Sequence, residues 1–148
     1  MFKAIINKIK RIHYFGTEPY KAHSNDAGWD LSADSSVVIE SFTGAIINTG
    51  LRIDIPAGYA GLVLPRSSIS AQNILVFTGV IDSGYKGEVR INLYNLNRGP
   101  FVVERGQRIA QLVIVPVCAA SLSRVLSLGA FLQSLTDRGE KGFGSTGR

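Results

Sequence analysis

Cysteine occurs once in the chain, at Cys118, so no disulfide can close within it and the fold makes no demand on an oxidising compartment. Long apolar runs are missing too. Lys3, Lys8, Lys10 and Arg11 interrupt residues 1–20 before any stretch reaches the length of a signal peptide or a membrane span. The expectation is a soluble intracellular protein, of cytoplasm or nucleus, without membrane contact. Charged residues are sparse, 18% against 45% hydrophobic, which is too apolar for a disordered chain and enough for a buried core. At 148 residues that core belongs to one domain. No segment recurs at a fixed period, which excludes solenoids. His13 and His23 stand without carboxylate or cysteine neighbours at ligand spacing and are assigned surface or capping roles rather than a metal.

What is present in excess is positive charge. A formal charge of +5 and a pI of 9.6 favour anionic partners: nucleic acid, a membrane surface or a small polyphosphate. Beyond Arg11 the basic residues are scattered singly, so a dedicated nucleic-acid surface is disfavoured.

The apolar residues follow the period of strands. Leu51, Ile53 and Ile55 alternate with Arg52 and Asp54, and Val89, Ile91 and Leu93 share one side of 88–94. Further β-rich runs at 37–39, 61–64, 101–103 and 109–115 are punctuated by Pro56, Gly58, Pro65, Gly99 and Gly106. Many short strands at turn-like spacing predict an all-β sandwich or barrel. Helix is confined to a turn at 67–73 and to 119–135, whose leucines fit either a helix or irregular packing. After Thr136 comes a run of glycine and charge with Phe143 as its one large apolar side chain, too little to bury itself.

Gly142, Gly144 and Gly147 match the glycine spacing of a dinucleotide-binding turn. That turn needs a strand before it, a helix after it and an acidic residue about 20 positions on, and only Arg148 follows. No Walker-type sequence is present either. The tail does carry sterically free N–H groups, the hydroxyls of Ser145 and Thr146 and the cations Arg138 and Lys141, all suited to phosphate oxygens.

Four other segments each have an ordinary structural reading when taken alone. Residues 79–87, Gly-Val-Ile-Asp-Ser-Gly-Tyr-Lys-Gly, read as two strands around a tight turn at Ser83-Gly84. Pro-Arg-Ser-Ser at 65–68 reads as a strand end entering a capped helical turn. Asp-Ala-Gly-Trp-Asp at 26–30 reads as a turn with Trp29 in the core, and Arg-Gly-Gln-Arg-Ile-Ala-Gln at 105–111 as a turn into a buried strand. Together, in the chain order 27–31, 65–69, 79–87 and 105–111 and ahead of Arg-Gly-Glu-Lys-Gly-Phe-Gly-Ser-Thr-Gly at 138–147, they carry more. In these five motifs the sequence resembles the trimeric dUTP pyrophosphatase family, and Asn48 to Gly58 resembles that family's intervening strand and turn. The resemblance covers nearly everything after Tyr20 except 119–135.

The resemblance implies a jelly-roll-like distorted β-barrel over residues 1–135, with residues 136–148 as a flexible Gly-rich C-terminal arm. It implies hydrolysis of dUTP to dUMP and pyrophosphate by water attack on the α-phosphorus, with Asp82 as general base. Mg2+ on the triphosphate is the implied cofactor, held by Asp30 through water. Phosphate contacts fall to Arg66, Ser67, Ser68 and Gln111, with Arg138, Gly144, Ser145 and Thr146 closing over the γ end. Main-chain groups of Gly79, Ile81 and Arg90 read uracil, Tyr85 packs on the deoxyribose and Phe143 stacks on the base. The family assembles as a homotrimer whose sites each draw on three chains. Lys141 stands where the family usually has glycine, and Trp29 where it has tyrosine or phenylalanine. Two alternatives stand beside this reading: a dCTP deaminase of the same superfamily, and a catalytically silent interaction protein of this fold.

Overall fold

The computed structural model describes residues 11–133. They divide into two compact units at Cys118. The first holds eleven strands: β1 (His13–Gly16), β2 (Trp29–Ser32), β3 (Val37–Ile39), β4 (Gly44–Asn48), β5 (Leu51–Asp54), β6 (Tyr59–Leu64), β7 (Ile74–Val76), β8 (Gly79–Ile81), β9 (Arg90–Asn95), β10 (Phe101–Val103) and β11 (Arg108–Pro116), with one short helix, α1 (Ser67–Ser70), between β6 and β7. All pairings are antiparallel, in four sheets ordered β1-β5, β10-β3, β2-β11-β6-β8 and β4-β9-β7. The all-β barrel expectation is met.

The alternation read from the sequence is the alternation that builds the core. Leu51, Ile53 and Ile55 are buried while Arg52 and Asp54 are exposed, and Val89, Ile91 and Leu93 all lie inside. They join Leu31, Ile39, Ile47, Val103, Ile109 and Leu112 in one cluster fed by every sheet. Each such aliphatic side chain contributes about 1.5–3 kcal/mol by leaving water. Two polar residues, Thr49 and Asn95, are buried with them, and among the described residues no buried side-chain nitrogen or oxygen lacks a hydrogen-bond partner. Asn95 is fully buried; its Nδ2 donates to the carbonyls of Ile39 (3.0 Å) and Gly99 (2.8 Å), and its Oδ1 accepts from the N–H of Asn97 (2.9 Å). That amide ties the β10-β3 sheet to β9.

The sequence pattern of 79–87 predicts a paired hairpin, and the structure differs. β8 pairs with β6 and is the edge of its sheet, whereas β9 pairs with β4 and β7 in another sheet. The turn itself is present, with Gly84 at φ +85° and the N–H of Tyr85 donating to the carbonyl of Asp82 (3.2 Å). It therefore acts as a corner between sheets, and its two arms diverge around an open slot. The second unit contains α2 (Leu128–Leu132), capped by Ser127, whose hydroxyl accepts from the N–H of Ala130 (3.2 Å). This helix buries none of its residues. Among the described residues no helix is long and apolar enough to cross a membrane.

Candidate active site

The slot between β8 and β9 is a cavity of about 310 Å3, at the lower end of the range for small-molecule sites. Gly79, Val80 and Ile81 supply one wall, Glu88, Val89 and Arg90 the other, and Asp82 and Tyr85 sit at the corner that joins them. Among the described residues β8 pairs on one side only, so the wall it forms offers backbone donors and acceptors. Asp82 and Tyr85 are exposed at this opening and Ile81 is buried behind it.

The second wall is strapped to the chain around β5. The buried Thr49 donates from Oγ1 to the carbonyl of Val89 (2.5 Å) and accepts from the N–H of Leu51 (3.2 Å). Val89 N–H donates to the carbonyl of Leu51 (2.8 Å), and Glu88 Oε1 accepts from the N–H of Gly50 (2.7 Å). Arg52 Nη1 donates to the carbonyl of Lys86 (2.8 Å), and Lys86 pairs with Asp54. The phenol of Tyr85 donates to the carbonyl of Glu88 (3.1 Å). With so many ties, the cavity is shaped before any ligand enters it.

A second group forms around Asp30 in β2. Its Oδ1 lies 2.8 Å from Arg66 Nε and its Oδ2 3.3 Å from Arg108 Nη1. Arg66 also donates from Nη1 to the carbonyl of Arg108 (2.8 Å), and the Arg108 guanidinium lies 4.7 Å from the centre of the Tyr20 ring. Tyr20 in turn exchanges two backbone hydrogen bonds with Asp30, at 3.0 and 2.6 Å. Gln111 donates from Nε2 to the carbonyl of Pro65 (2.8 Å), which steadies the strand end that leads into α1. Ile69 is buried and anchors α1, leaving Ser67 and Ser68 exposed beside Arg66. Two cations around one carboxylate leave a net positive corner with two hydroxyls next to it, a setting for phosphate oxygens.

Arg108 is the member of this corner that sequence reading did not single out. It lies inside the 105–111 motif, but its direction depends on an irregularity in the β11-β2 pairing between Arg108 and Ala110, which re-aims its side chain onto Asp30. Trp29 is half-buried, with the Lys21 ammonium 4.1 Å from its ring centre. His23 is exposed beside Asp26, its Nδ1 3.4 Å from that carboxylate. Among the described residues no three His, Cys, Asp or Glu side chains gather as a metal site. Both Asp30 oxygens already meet guanidinium groups, so the corner offers no free carboxylate oxygen for direct coordination, and a magnesium ion carried by an anionic ligand would meet Asp30 only through water. Arg138, Phe143, Gly144, Ser145 and Thr146 lie outside the described residues.

Within one chain the two groups do not share a cavity: Asp82, Tyr85, Gly79, Ile81 and Arg90 line the slot, and Asp30, Arg66, Ser67, Ser68 and Gln111 do not.

A family model described as dUTPase matches residues 16–147. The deoxyuridine 5′-triphosphate nucleotidohydrolase of Tropheryma whipplei strain Twist is 40% identical over 137 residues, 90% of either chain. That of Mycobacterium marinum is 41% identical over 133 residues, 87% of this chain and 86% of its own. Among solved structures, the dUTPase of Staphylococcus bacteriophage 80alpha with dUPNHPP is similar with a TM-score of 0.86 and 32% identity, over 94% of this chain and 99% of its own. A mutant dUTPase from phage phi11 of S. aureus is similar at a TM-score of 0.75 and 28% identity, over 79% of this chain and 97% of its own, and coordinates a structural Mg(II) ion.

Proposed function

Because the chain belongs to the dUTPase family and hydrolyses dUTP, we propose that Asp82 is the general base that drives water onto the α-phosphorus, releasing dUMP and pyrophosphate. The observation that carries this is the place of Asp82, at the corner of a preformed slot with the β8 strand edge as one wall. Uracil enters that slot and is read by main-chain groups of Gly79, Ile81 and Arg90. A slot shaped this closely leaves no room for the methyl group of thymine, and backbone groups can oppose the amino group of cytosine. Tyr85 packs against the deoxyribose, where a ribose 2′-hydroxyl would collide with its ring.

Attack forms a bond from the water oxygen to the α-phosphorus and breaks the bond to the bridging oxygen; the water proton passes to the Asp82 carboxylate. The electron pair leaves with pyrophosphate, so the protein has to hold the triphosphate in line and accommodate growing negative charge. Arg66, Ser67, Ser68 and Gln111 serve that purpose. Magnesium on the triphosphate would, when bound, neutralise charge growing on the leaving group, and Asp30 would hold it through water. Residues 136–148 act as an arm: Arg138, Gly144, Ser145 and Thr146 close on the γ end and Phe143 stacks on uracil, excluding water.

The separation of the two residue groups within one chain supports a homotrimer in which the slot of one protomer faces the Asp30–Arg66 corner of another. Hydrolysis in water enriched in 18O tests the chemistry. The label is expected in dUMP; label in pyrophosphate would place the attack on the β-phosphorus and remove Asp82 from the role of base at the α-phosphorus.

A further inference from the structure

Two glycines flank Tyr85 for different reasons. Gly84 occupies the left-handed region at φ +85°, which the turn requires, and no neighbouring atom crowds it. Gly87 is not among the residues with positive φ, so its backbone conformation would accept a side chain. What excludes one is Tyr85. A Cβ at position 87 would lie 2.8 Å from Cε2 of that ring and closer still to its Cζ and hydroxyl, and these are its three nearest atoms. The ring thus lies directly across the α-carbon of Gly87, with the hydroxyl reaching on to the carbonyl of Glu88 (3.1 Å).

We infer that Gly87 is a positioning residue for sugar selectivity, holding the Tyr85 ring in the wall of the slot by leaving the space the ring lies across. This rests on the reading of Tyr85 as the surface that meets deoxyribose. Any side chain at 87 must displace something, and the backbone is the stiffer party. Lys86, Glu88 and Val89 are all strapped to residues 50–52, whereas the Tyr85 ring is 43% exposed and turns about two side-chain torsions. The ring moves, and the fold stays. Once it has moved, the wall that meets the 2′ position opens and a ribonucleotide is admitted.

The test measures kcat/KM for dUTP and UTP, and Kd for the α,β-imido analogues of both, in the wild-type protein, Gly87→Ala, Tyr85→Ala and the double variant. Gly87→Ala is expected to lower the preference for the deoxynucleotide by roughly tenfold or more, the scale of one steric contact in a pocket. KM for dUTP should move more than kcat, the denaturation midpoint should stay near wild type, and the double variant should match Tyr85→Ala, because the added methyl then has no ring to displace. Where turnover is too slow to measure, the ratio of the two analogue Kd values reports the same preference. Wild-type selectivity in Gly87→Ala, alongside lost selectivity in Tyr85→Ala, would overturn the inference and leave the reading of Tyr85 standing. An equal drop from Gly87→Ala in the Tyr85→Ala background would also overturn it, since the effect would then run through the backbone. Unchanged selectivity in Tyr85→Ala would remove both.

Discussion

Thr49→Val removes one oxygen atom and keeps the shape and branching of a buried side chain that is 1% exposed. The hydroxyl it deletes is the clasp between β5 and the wall of the slot, donating to the carbonyl of Val89 and accepting from the N–H of Leu51. Val89 and Leu51 are 2% and 1% exposed, so water does not replace the lost partner. Leaving a buried donor or acceptor unsatisfied costs about 1–3 kcal/mol each. Two such groups, less about 1 kcal/mol for no longer burying a hydroxyl, give a loss of about 1–5 kcal/mol. For a domain of this size each kcal/mol is worth about 3–4 °C in Tm, so the midpoint should fall by about 3–20 °C. Denaturation at fixed protomer concentration, followed by circular dichroism, measures it, with Thr49→Ser as the control that keeps the hydroxyl and should lose less than half as much. Because the clasp holds the wall beside Arg90, KM for dUTP should rise while kcat changes less. A Tm within about 1 °C of wild type, or a Thr49→Ser loss equal to that of Thr49→Val, would refute the clasp.

Asp30→Asn removes the charge between Arg66 and Arg108, and kcat/KM for dUTP should fall by at least about tenfold, each 1.36 kcal/mol of lost transition-state stabilisation being a factor of ten; recovery on raising magnesium supports the ion-holding role, and a loss indifferent to magnesium assigns Asp30 to the two guanidinium groups alone. Deleting residues 138–148 should leave a folded trimer by solution mass with little turnover, and a fully active truncation would show that the arm is not a lid.

The core was legible because its residues obey a period of two: 51–55 and 89–93 could be assigned to a half-buried strand without knowing what they pair with. The slot was not, since the residues that make a tight hairpin also make a corner between sheets. Whether β8 and β9 pair is decided by distant partners, Ile81 by Gly61 and Arg90 by Asn48. The candidate residues Asp30, Arg66 and Gln111 were legible as motif members. Their contacts with one another were not, because the direction of Arg108 follows from a local register shift that leaves no mark on the pattern of apolar residues. In 119–133 the leucines gave no period because the one helix described there spans five residues and buries none of them, so it has no buried apolar face to be read.

Asp82→Asn tests the central assignment most directly, since the amide keeps the size of the carboxylate and cannot take a proton from water. The account predicts that the α,β-imido analogue of dUTP binds within about threefold of wild type, while kcat for dUTP falls by about 10²–10⁴, the usual contribution of a general base. A variant that turns over dUTP at the wild-type rate would contradict it.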